Sequence, residues 1–357
     1  MARNTFKIVG KLQLGKETEK FKPYKVSKSA KGWLGHRLVF GIKNITGFHN
    51  VELFEGYMED GSSLIYCIKK KENYSDETEK LQIKWKLRNN PDVIEQVSDY
   101  NKLTIKMDDE QVTKYIAGYD FLQHIYSILQ DDRYKDELFI VTGDVEYQKY
   151  EGKIYRKLHP RHIELAPKDT QEVSLLNLEL YYTQDAVDTE MFDINKKYLV
   201  NTYVAQYNSQ TKEDDYFSEP VVIDVSKAQT EKQEKGFNII KNRFIVDEDK
   251  VFKLGVKAVL INGKEKKQIT MDDLTEEERD LIDCGLATLE EIAAEYGNTI
   301  NGDSISEIKV VGFGYGYNKG SQETEISPEK LLGIMELDEE EFKDMLFGGE
   351  EEELPFM

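Results

Sequence analysis

Apolar and polar positions alternate along much of the first half of the chain with the two-residue period of a half-buried β-strand. The segments with this pattern are residues 6–14, 36–42, 51–58, 64–68 and 80–88. Asp60-Gly61 predicts a hairpin turn that joins the third and fourth of these segments. The polar, basic residues 16–31 predict a loop.

The spacing of the apolar residues changes once within the first half of the chain. Between residues 111 and 130, apolar side chains recur at steps of three and four, which predicts an amphipathic helix. Strand patterns return at 138–147 and 154–165, on either side of a turn at 150–153. Strands, one helix and further strands do not match the regular alternation of a doubly wound sheet. The order therefore favours an antiparallel barrel or sandwich.

The second half of the chain is again rich in strand patterns. The predicted strands are residues 173–182, 198–207, 221–225, 237–246, 251–261 and 305–313, with an exposed polar loop at 208–218 and a turn at Asn262-Gly263. Thr275 and Thr288 each stand three residues before a glutamate and predict two capping boxes. Ser327-Pro328 predicts the start of another short helix.

Composition narrows the class of protein. Of the 357 residues 39% are apolar, but no stretch approaches the 18 consecutive apolar residues of a membrane-spanning helix. The first residues lack the apolar segment of a signal peptide. Cys67 and Cys284 form neither a disulfide framework nor a CxxC pair. These features predict a soluble, cytoplasmic protein, in the host cytoplasm if it is viral.

The net charge of −20 is distributed unevenly along the chain. Residues 1–43 hold eleven basic and two acidic side chains, a net charge of +9. Residues 336–357 hold one basic and ten acidic side chains, a net charge of −9. The basic segment suits a polyanion and the acidic segment a basic surface. A solvated loop and a solubility tail would give the same charges, so both interpretations are open here.

The last residues combine an acidic run with a short apolar hook. The run and hook are Glu350, Glu351, Glu352, Glu353, Leu354, Pro355 and Phe356. The carboxylates would steer the tail to a basic-rimmed pocket that Phe356 fills. This tail resembles that of bacterial and bacteriophage single-stranded DNA-binding proteins, whose tails recruit replication and repair enzymes. Met357 follows the phenylalanine here, whereas in the bacterial family the phenylalanine is the last residue.

Residues 147–157 are a second candidate for binding. If they form a hairpin, then Lys153, Tyr155 and Lys157 share one face of the outgoing strand, with Tyr147 and Tyr150 on the incoming strand. A base can stack on a tyrosine while the lysines follow the phosphates. The stretch resembles an OB-fold strand pair of phage single-stranded DNA-binding proteins. The alternative is an ordinary amphipathic surface hairpin.

A third candidate is the basic segment near the amino terminus, where lysines at intervals of three precede a tryptophan. The candidate residues are Lys22, Tyr24, Lys25, Lys28, Lys31, Trp33 and Arg37, and Trp85 stands in a similar basic context. Sequence-independent binding of single strands needs positive charge interleaved with aromatic rings. The alternative is that Trp33 anchors the loop in the core.

The sequence contains no recognisable catalytic constellation. The five histidines include no HExxH motif, and GxSxG, Walker and Rossmann motifs are absent. Asp108-Asp109-Glu110 and Asp131-Asp132 could hold a divalent cation, but they fit solvated acids beside a helix better. We therefore predict that the protein is not an enzyme and uses no cofactor or metal.

The resemblance implies a mainly β protein with minor α. We expect an OB-like antiparallel β-barrel that binds single-stranded DNA in residues 1–165. A second β-rich domain with added helices follows in 170–325, and whether it is also an OB barrel is open. Short helices occupy 326–347, and a disordered acidic tail at 348–357 recruits partners.

The implied function is to coat and protect single-stranded DNA during phage DNA replication, recombination and repair, with replication or recombination proteins as partners of the tail. One rival is a phage structural or scaffolding protein made of β-rich domains. Another is a replication accessory protein or recombination mediator that binds protein first and DNA second. Without residues 336–357 the chain still carries a net charge of −11, and this acidic charge weakens the case for nucleic-acid binding.

Overall fold

The computed structural model describes residues 4–72, 77–107, 111–190, 192–226, 228, 230–246, 249–268, 271, 274–289, 291–292, 299–314 and 320–333. The described chain is mainly β with few helices, as predicted. The strands are β1 (Thr5–Leu14), β2 (Tyr24–Lys28), β3 (Trp33–Asn44), β4 (Gly47–Met58), β5 (Leu64–Ile68), β6 (Lys80–Lys84), β7 (Leu103–Lys106), β8 (Val112–Tyr115), β9 (Leu138–Tyr150), β10 (Lys153–Leu165), β11 (Val173–Tyr182), β12 (Val187–Asp188), β13 (Lys197–Val200), β14 (Tyr203–Asn208), β15 (Glu213–Ser218), β16 (Val221–Asp224), β17 (Phe252–Gln268), β18 (Thr299–Phe313) and β19 (Gln322–Glu323). The helices are α1 (Pro91–Gln96), α2 (Gly118–Gln130), α3 (Phe192–Asn195), α4 (Glu231–Asn242), α5 (Glu276–Asp283) and α6 (Pro328–Leu332).

The chain folds into two compact units, each built from two segments. The first unit contains residues 1–178 and 257–311, and the second contains 179–256 and the described residues from 312 onward. No single point in the chain divides the two units, because the segment that completes the first unit follows most of the second.

Five strands of the first unit close into a barrel. β1 pairs antiparallel with β3 and β9, β3 pairs with β4, and β9 pairs with β10. The ring closes where β10 runs parallel to β4, with Leu158 beside Val51. α2 lies in the connection between β4 and β9. A five-stranded barrel with this strand order, and with a helix such as α2 between its third and fourth strands, has the topology of an OB fold.

Apolar side chains fill the barrel and hold α2 against it. Buried residues on the barrel strands include Phe6, Ile8, Leu38, Phe40, Val51, Leu53, Val141 and Leu158. Phe121, Leu122, Ile125 and Ile128 are the buried residues of α2, and their steps of one, three and three place them on one side of the helix. The core therefore leaves the opposite, outward-facing positions of β3, β4 and β10 free for other roles.

Further strands extend the first unit. β2 pairs with β3, β7 runs parallel to β10, and β8 pairs with β7. β11 pairs with β1, and Asn262 of β17 pairs with Gly47 of β4. β5 and β6 form a separate two-stranded sheet, where Cys67 and Ile83 pack against Val97 and Ile116.

The second unit is a smaller β structure with short helices. β13 pairs with β12 and β16, β14 pairs with β11 and β15, and Phe252 of β17 pairs with Glu323 of β19. Its core includes a cluster of Tyr181, Ala205, Val251 and Leu331. α6 begins where Ser327 Oγ accepts a hydrogen bond from the Lys330 backbone N–H, as the sequence predicts.

Several segments differ in secondary structure from their predictions. The predicted strand 80–88 ends at Lys84, and the predicted strand 198–207 is divided into β13 and β14. The helix predicted from residue 111 starts at Gly118, because Val112–Tyr115 pairs with β7 as a strand. Residues 237–246, predicted as a strand, lie mostly in α4, whose N-cap Thr230 accepts a hydrogen bond from the Gln233 N–H. The predicted loop at 208–218 contains β15, which pairs with β14.

Three local turn and loop predictions also differ. Gly61 has a positive φ of 73°, but the strands beside it do not pair with each other, since β4 pairs with β3 and β5 with β6. Asn262-Gly263 lies inside β17, where Asn262 Nδ2 donates to the Phe48 carbonyl at 2.8 Å. The predicted loop at 16–31 contains β2.

Candidate nucleic-acid interface

Two aromatic rings lie on the outer face of β3 and β4, above a pair of glycines. Gly35 and Gly56 are directly opposite in the register of the two strands. A Cβ atom added to Gly35 would lie 2.8 Å from the Phe54 ring, and one added to Gly56 would lie 2.8 Å from the Trp33 ring. Each ring therefore packs against the glycine of the neighbouring strand. The Trp33 side chain is still 38% exposed and Phe54 58% exposed, so both rings are accessible to a stacking partner.

Cationic side chains lie beside the two rings. The register places Lys25 of β2, Arg37 of β3 and Phe54 of β4 opposite one another. Arg37 Nε donates to Glu52 Oε1 at 2.5 Å, in an ion pair whose two side chains are each 37% exposed. An exposed pair of this kind contributes roughly 0–1 kcal/mol, so a phosphate can replace the carboxylate at small cost. We call Lys25, Trp33, Arg37 and Phe54 the β3–β4 face.

The remaining lysines of the basic segment are exposed. Lys28 Nζ lies 2.6 Å from Glu59 Oε2, and Lys22 Nζ lies 3.7 Å from Glu17 Oε1. Within the described residues, no acid forms an ion pair with Lys25 or Lys31. The segment thus presents exposed lysines at the start of β3, and two of them form solvent-exposed ion pairs.

Tyr24 is packed against α2. Its hydroxyl lies 2.7 Å from His36 Nδ1 and accepts a hydrogen bond from Gln123 Nε2 at 2.9 Å. Its ring stacks on Tyr126 with the centroids 4.3 Å apart. Burial lowers the pKa of His36, so this imidazole stays neutral around neutral pH. These contacts give Tyr24 a supporting role, because they attach β2 to the helix and fix the position of Lys25.

The predicted hairpin of β9 and β10 is present, and its tip is polar. Tyr150 pairs with Lys153 across a two-residue turn of Glu151 and Gly152, whose φ angles are 49° and 77°. Positive φ at both turn residues is the property of a type I′ turn. Tyr150, Lys153, Tyr155 and Lys157 are exposed and share one face. Within the described chain, neither lysine forms an ion pair.

Tyr147 does not belong to this exposed surface. Its side chain is 2% exposed and belongs to the core of the barrel. It lies three residues from Tyr150 on the same strand, and positions an odd number of residues apart on a strand point to opposite faces. Stacking of a base on Tyr147 would require the barrel to open, so we leave it out of the interface.

Trp85 is half-buried in an aromatic cluster. Its ring stacks on Tyr57 with the centroids 4.9 Å apart, and the Arg88 guanidinium lies 4.4 Å from its centroid. Arg88 is itself held by Asp120 at 2.8 Å. Trp85 therefore lines the wall of a cleft and offers little free ring surface of the kind that Trp33 shows.

The interface residues do not form one cluster. Trp33 pairs with Met58 at the end of β4, whereas β10 runs parallel to β4, with Leu158 beside Val51. The tip of the β9–β10 hairpin therefore lies toward the start of β4. The β3–β4 face is thus bordered by the basic segment at one end and by the hairpin toward the other.

Two residues of this region, Phe54 and Glu55, were not predicted from the sequence. Phe54 is among the more exposed aromatic rings, but only the register with Arg37 and Gly35 reveals its place on the face. Glu55 lies behind it, half-buried in the cleft, with its carboxyl beside Gly118 at the start of α2. Burial, together with the carboxylate of Glu146, raises the pKa of Glu55 to about 7.

The predicted tail residues, 350–356, lie outside the described residues, as does the helix expected within 338–347. No described helix is both long and apolar enough to cross a membrane. Among the described side chains, no group of three His, Cys, Asp or Glu is arranged to hold a metal ion.

Comparisons with known proteins do not identify a family for this chain. No model of a protein family matches the sequence, and no curated protein matches it. Among solved structures, the chain is similar to a deletion mutant of the single-stranded DNA binding protein from Thermus aquaticus. The TM-score is 0.30 and the sequence identity 10%, over 73% of this chain and 87% of that chain. So distant a likeness carries no argument, and the OB assignment depends on the strand order described above.

Proposed function

We propose that the protein binds single-stranded DNA through the β3–β4 face and acts without catalysis. The observation that carries the proposal is the pair of exposed rings, Trp33 and Phe54, packed over Gly35 and Gly56 beside two cations. β3 and β4 are the second and third strands of the OB barrel, the strands on which this fold binds oligonucleotides.

Stacking and charge would act together on this face. Stacking of one base on an aromatic ring contributes about 1–3 kcal/mol and tolerates any sequence, since every base has a π face. Lys25 and Arg37 lie next to the rings and would contact phosphates. Lys28, Lys31 and the hairpin lysines, Lys153 and Lys157, would extend the contact along the strand.

We further propose that the protein coats and protects single-stranded DNA during phage replication and recombination. In this proposal the acidic hook at 350–356 recruits partner enzymes. The acidic run would be repelled by bound DNA and attracted by a basic pocket on a partner. The hook therefore serves protein contacts and not DNA contacts.

The proposal is tested by fluorescence anisotropy of a labelled oligo-dT at low and high salt, with duplex DNA as the competitor. We expect tight, salt-sensitive binding of the single strand and weak binding of the duplex. Trp33→Ala and Phe54→Ala are each expected to weaken binding about 5- to 150-fold, the equivalent of about 1–3 kcal/mol. Tyr207→Ala, at a 62% exposed aromatic residue of the second unit, is the matched control and should leave binding unchanged.

A subtler variant tests the arrangement of the rings. Gly35→Ala keeps both aromatic residues, but the new Cβ would meet the Phe54 ring at 2.8 Å and displace it. Binding is expected to fall, though less than in Phe54→Ala. Circular dichroism and thermal melting show whether each variant is folded. Folded wild-type protein with no affinity for oligo-dT at low salt would refute DNA binding and favour a structural or scaffolding protein.

A further inference from the structure

A cleft of about 420 Å³ opens beside the β3–β4 face. Its lining includes Ser63, Trp33 from the face, Trp85 from the aromatic cluster, and Tyr119, whose ring centroid lies 6.1 Å from that of Trp85. The Glu55 carboxyl also lines it, next to the first residue of α2, Gly118. The cleft thus combines aromatic and aliphatic walls with one acidic group.

The composition of the lining points to the kind of ligand. Aromatic walls and a polar group at one edge are the means by which proteins hold an unstacked base and read its Watson–Crick edge. Trp33 belongs both to the cleft and to the exposed face, so a strand stacked on Trp33 has its neighbouring nucleotide within reach of the cleft.

We infer that the cleft receives one base of the bound strand and selects guanine, through hydrogen bonds from the base to Glu55. An ionised carboxylate has only acceptors. Guanine offers two adjacent donors on its Watson–Crick edge, N1–H and the N2 amino group, which match the two carboxylate oxygens. Adenine and cytosine offer one donor beside an acceptor, and thymine one donor between two acceptors. This inference rests on the proposed binding of single-stranded DNA.

The charge state of Glu55 fits this assignment above neutral pH. Burial raises the pKa of Glu55 to about 7, so at pH 8 the carboxyl is mostly ionised. Among the described side chains, no cation forms an ion pair with Glu55. Two donors from a base would satisfy this half-buried carboxylate. Bidentate pairs between a side chain and a base contribute about 1–3 kcal/mol of discrimination.

The test measures anisotropy at pH 8 with oligo-dT strands that carry one central dG, dA or inosine. Inosine keeps N1–H but lacks the N2 amino group. We expect the dG strand to bind about 5- to 100-fold more tightly than the dA strand, with the inosine strand between them. Glu55→Gln should remove most of the dG advantage, measured as the ratio of the dG-strand affinity to the dA-strand affinity within the same variant. Glu95→Gln, which removes an exposed carboxylate of the first unit, should keep the advantage.

Equal affinity for dG, dA and inosine strands, or a dG advantage that persists in Glu55→Gln, would overturn this inference. Either result leaves the proposed function intact as long as plain oligo-dT binds. Absence of binding to plain oligo-dT would instead refute the proposed function itself, so the two failures are distinguishable.

Discussion

Glu55→Gln is expected to stabilise the first unit at alkaline pH and to change it little at pH 5. The pKa of Glu55 rises from 4.5 to about 7 on folding, because the carboxyl is buried in the cleft and lies near the carboxylate of Glu146. A group with a raised folded-state pKa binds its proton more tightly in the folded protein. Its stabilising contribution is fully present below pH 4.5 and is lost as the pH rises through 7.

The size of the effect follows from the two pKa values. At about 1.4 kcal/mol for each pKa unit, the difference corresponds to roughly 3 kcal/mol. Of this, about 2.5 kcal/mol is lost between pH 5 and pH 8, where the carboxyl loses its proton in the folded state. Glutamine has nearly the same shape and does not ionise, so the variant escapes this loss.

Urea unfolding followed by tryptophan fluorescence measures the effect. Both tryptophans of the chain, Trp33 and Trp85, lie in the first unit, so the signal reports on that unit. The free energy of unfolding of the wild type, minus that of Glu55→Gln, should fall by about 2.5 kcal/mol from pH 5 to pH 8. Glu52→Gln, on the exposed side of the same strand, is the control. A difference that does not change with pH would refute the account of the cleft as a burial site for a carboxyl.

Two further predictions concern the ends of the proposed interface. Replacing Lys153 and Lys157 by alanine should lower the slope of log affinity against log salt for oligo-dT by about 1.4, since each phosphate contact to a single strand contributes about 0.7. Salt titration of the anisotropy signal measures this slope, with Lys232→Ala and Lys235→Ala on α4 as the matched double control. Removal of residues 350–357 should keep or tighten DNA affinity at low salt and abolish capture of partner enzymes, as measured by anisotropy and by pull-down.

An unchanged slope in the lysine variant would show that the β9–β10 hairpin does not contact DNA and is an ordinary surface hairpin. A truncated protein that loses DNA affinity would show that the tail supports the DNA-binding body. Capture of partner enzymes by the truncated protein would show that the hook does not recruit them.

Local signals in the sequence predicted the long strands and one hairpin well. The alternation over residues 6–14 sufficed to predict β1. Gly152 readily adopts the positive φ that the turn at Glu151-Gly152 requires. The pairing of strands was harder, because it depends on residues distant in sequence. Asp60-Gly61 makes a turn, but the partner of β4 is β3 and the partner of β5 is β6.

The misassigned helix α4 shows how side-chain type can mislead. Residues 237–246 contain Phe, Ile and Val at a density typical of a strand. Instead, the helix begins after Thr230, whose side chain accepts a hydrogen bond from the Gln233 N–H. Ile240 is the only buried residue of this helix. Capping at the polar N-terminal end was therefore more informative than the apolar stretch that follows it.

The candidate site was only partly predictable for a similar reason. Trp33 and Arg37 were visible as a basic and aromatic stretch, but the face that they share with Phe54 exists only through the register of β3 with β4. Tyr147 and Tyr150 stand close in sequence. Because successive residues of a strand point to opposite faces, the first is buried and the second exposed. Once a strand is known, the sequence shows which residues share a face, whereas the register between two strands needs the structure.

The net charge of −20 and a role in DNA binding are compatible if charge acts locally. The Debye length is about 10 Å at 0.1 M salt, so phosphates on the β3–β4 face experience mainly the nearby charges of Lys25, Arg37 and Glu52, and distant acids are screened. At low salt the screening weakens, and the acids of the rest of the chain then repel the incoming strand. The gain in affinity on lowering the salt should therefore level off below that expected from the phosphate contacts alone. Stacking on Trp33 and Phe54, which depends little on salt, would then supply a larger share of the binding free energy than in a basic protein of the same fold.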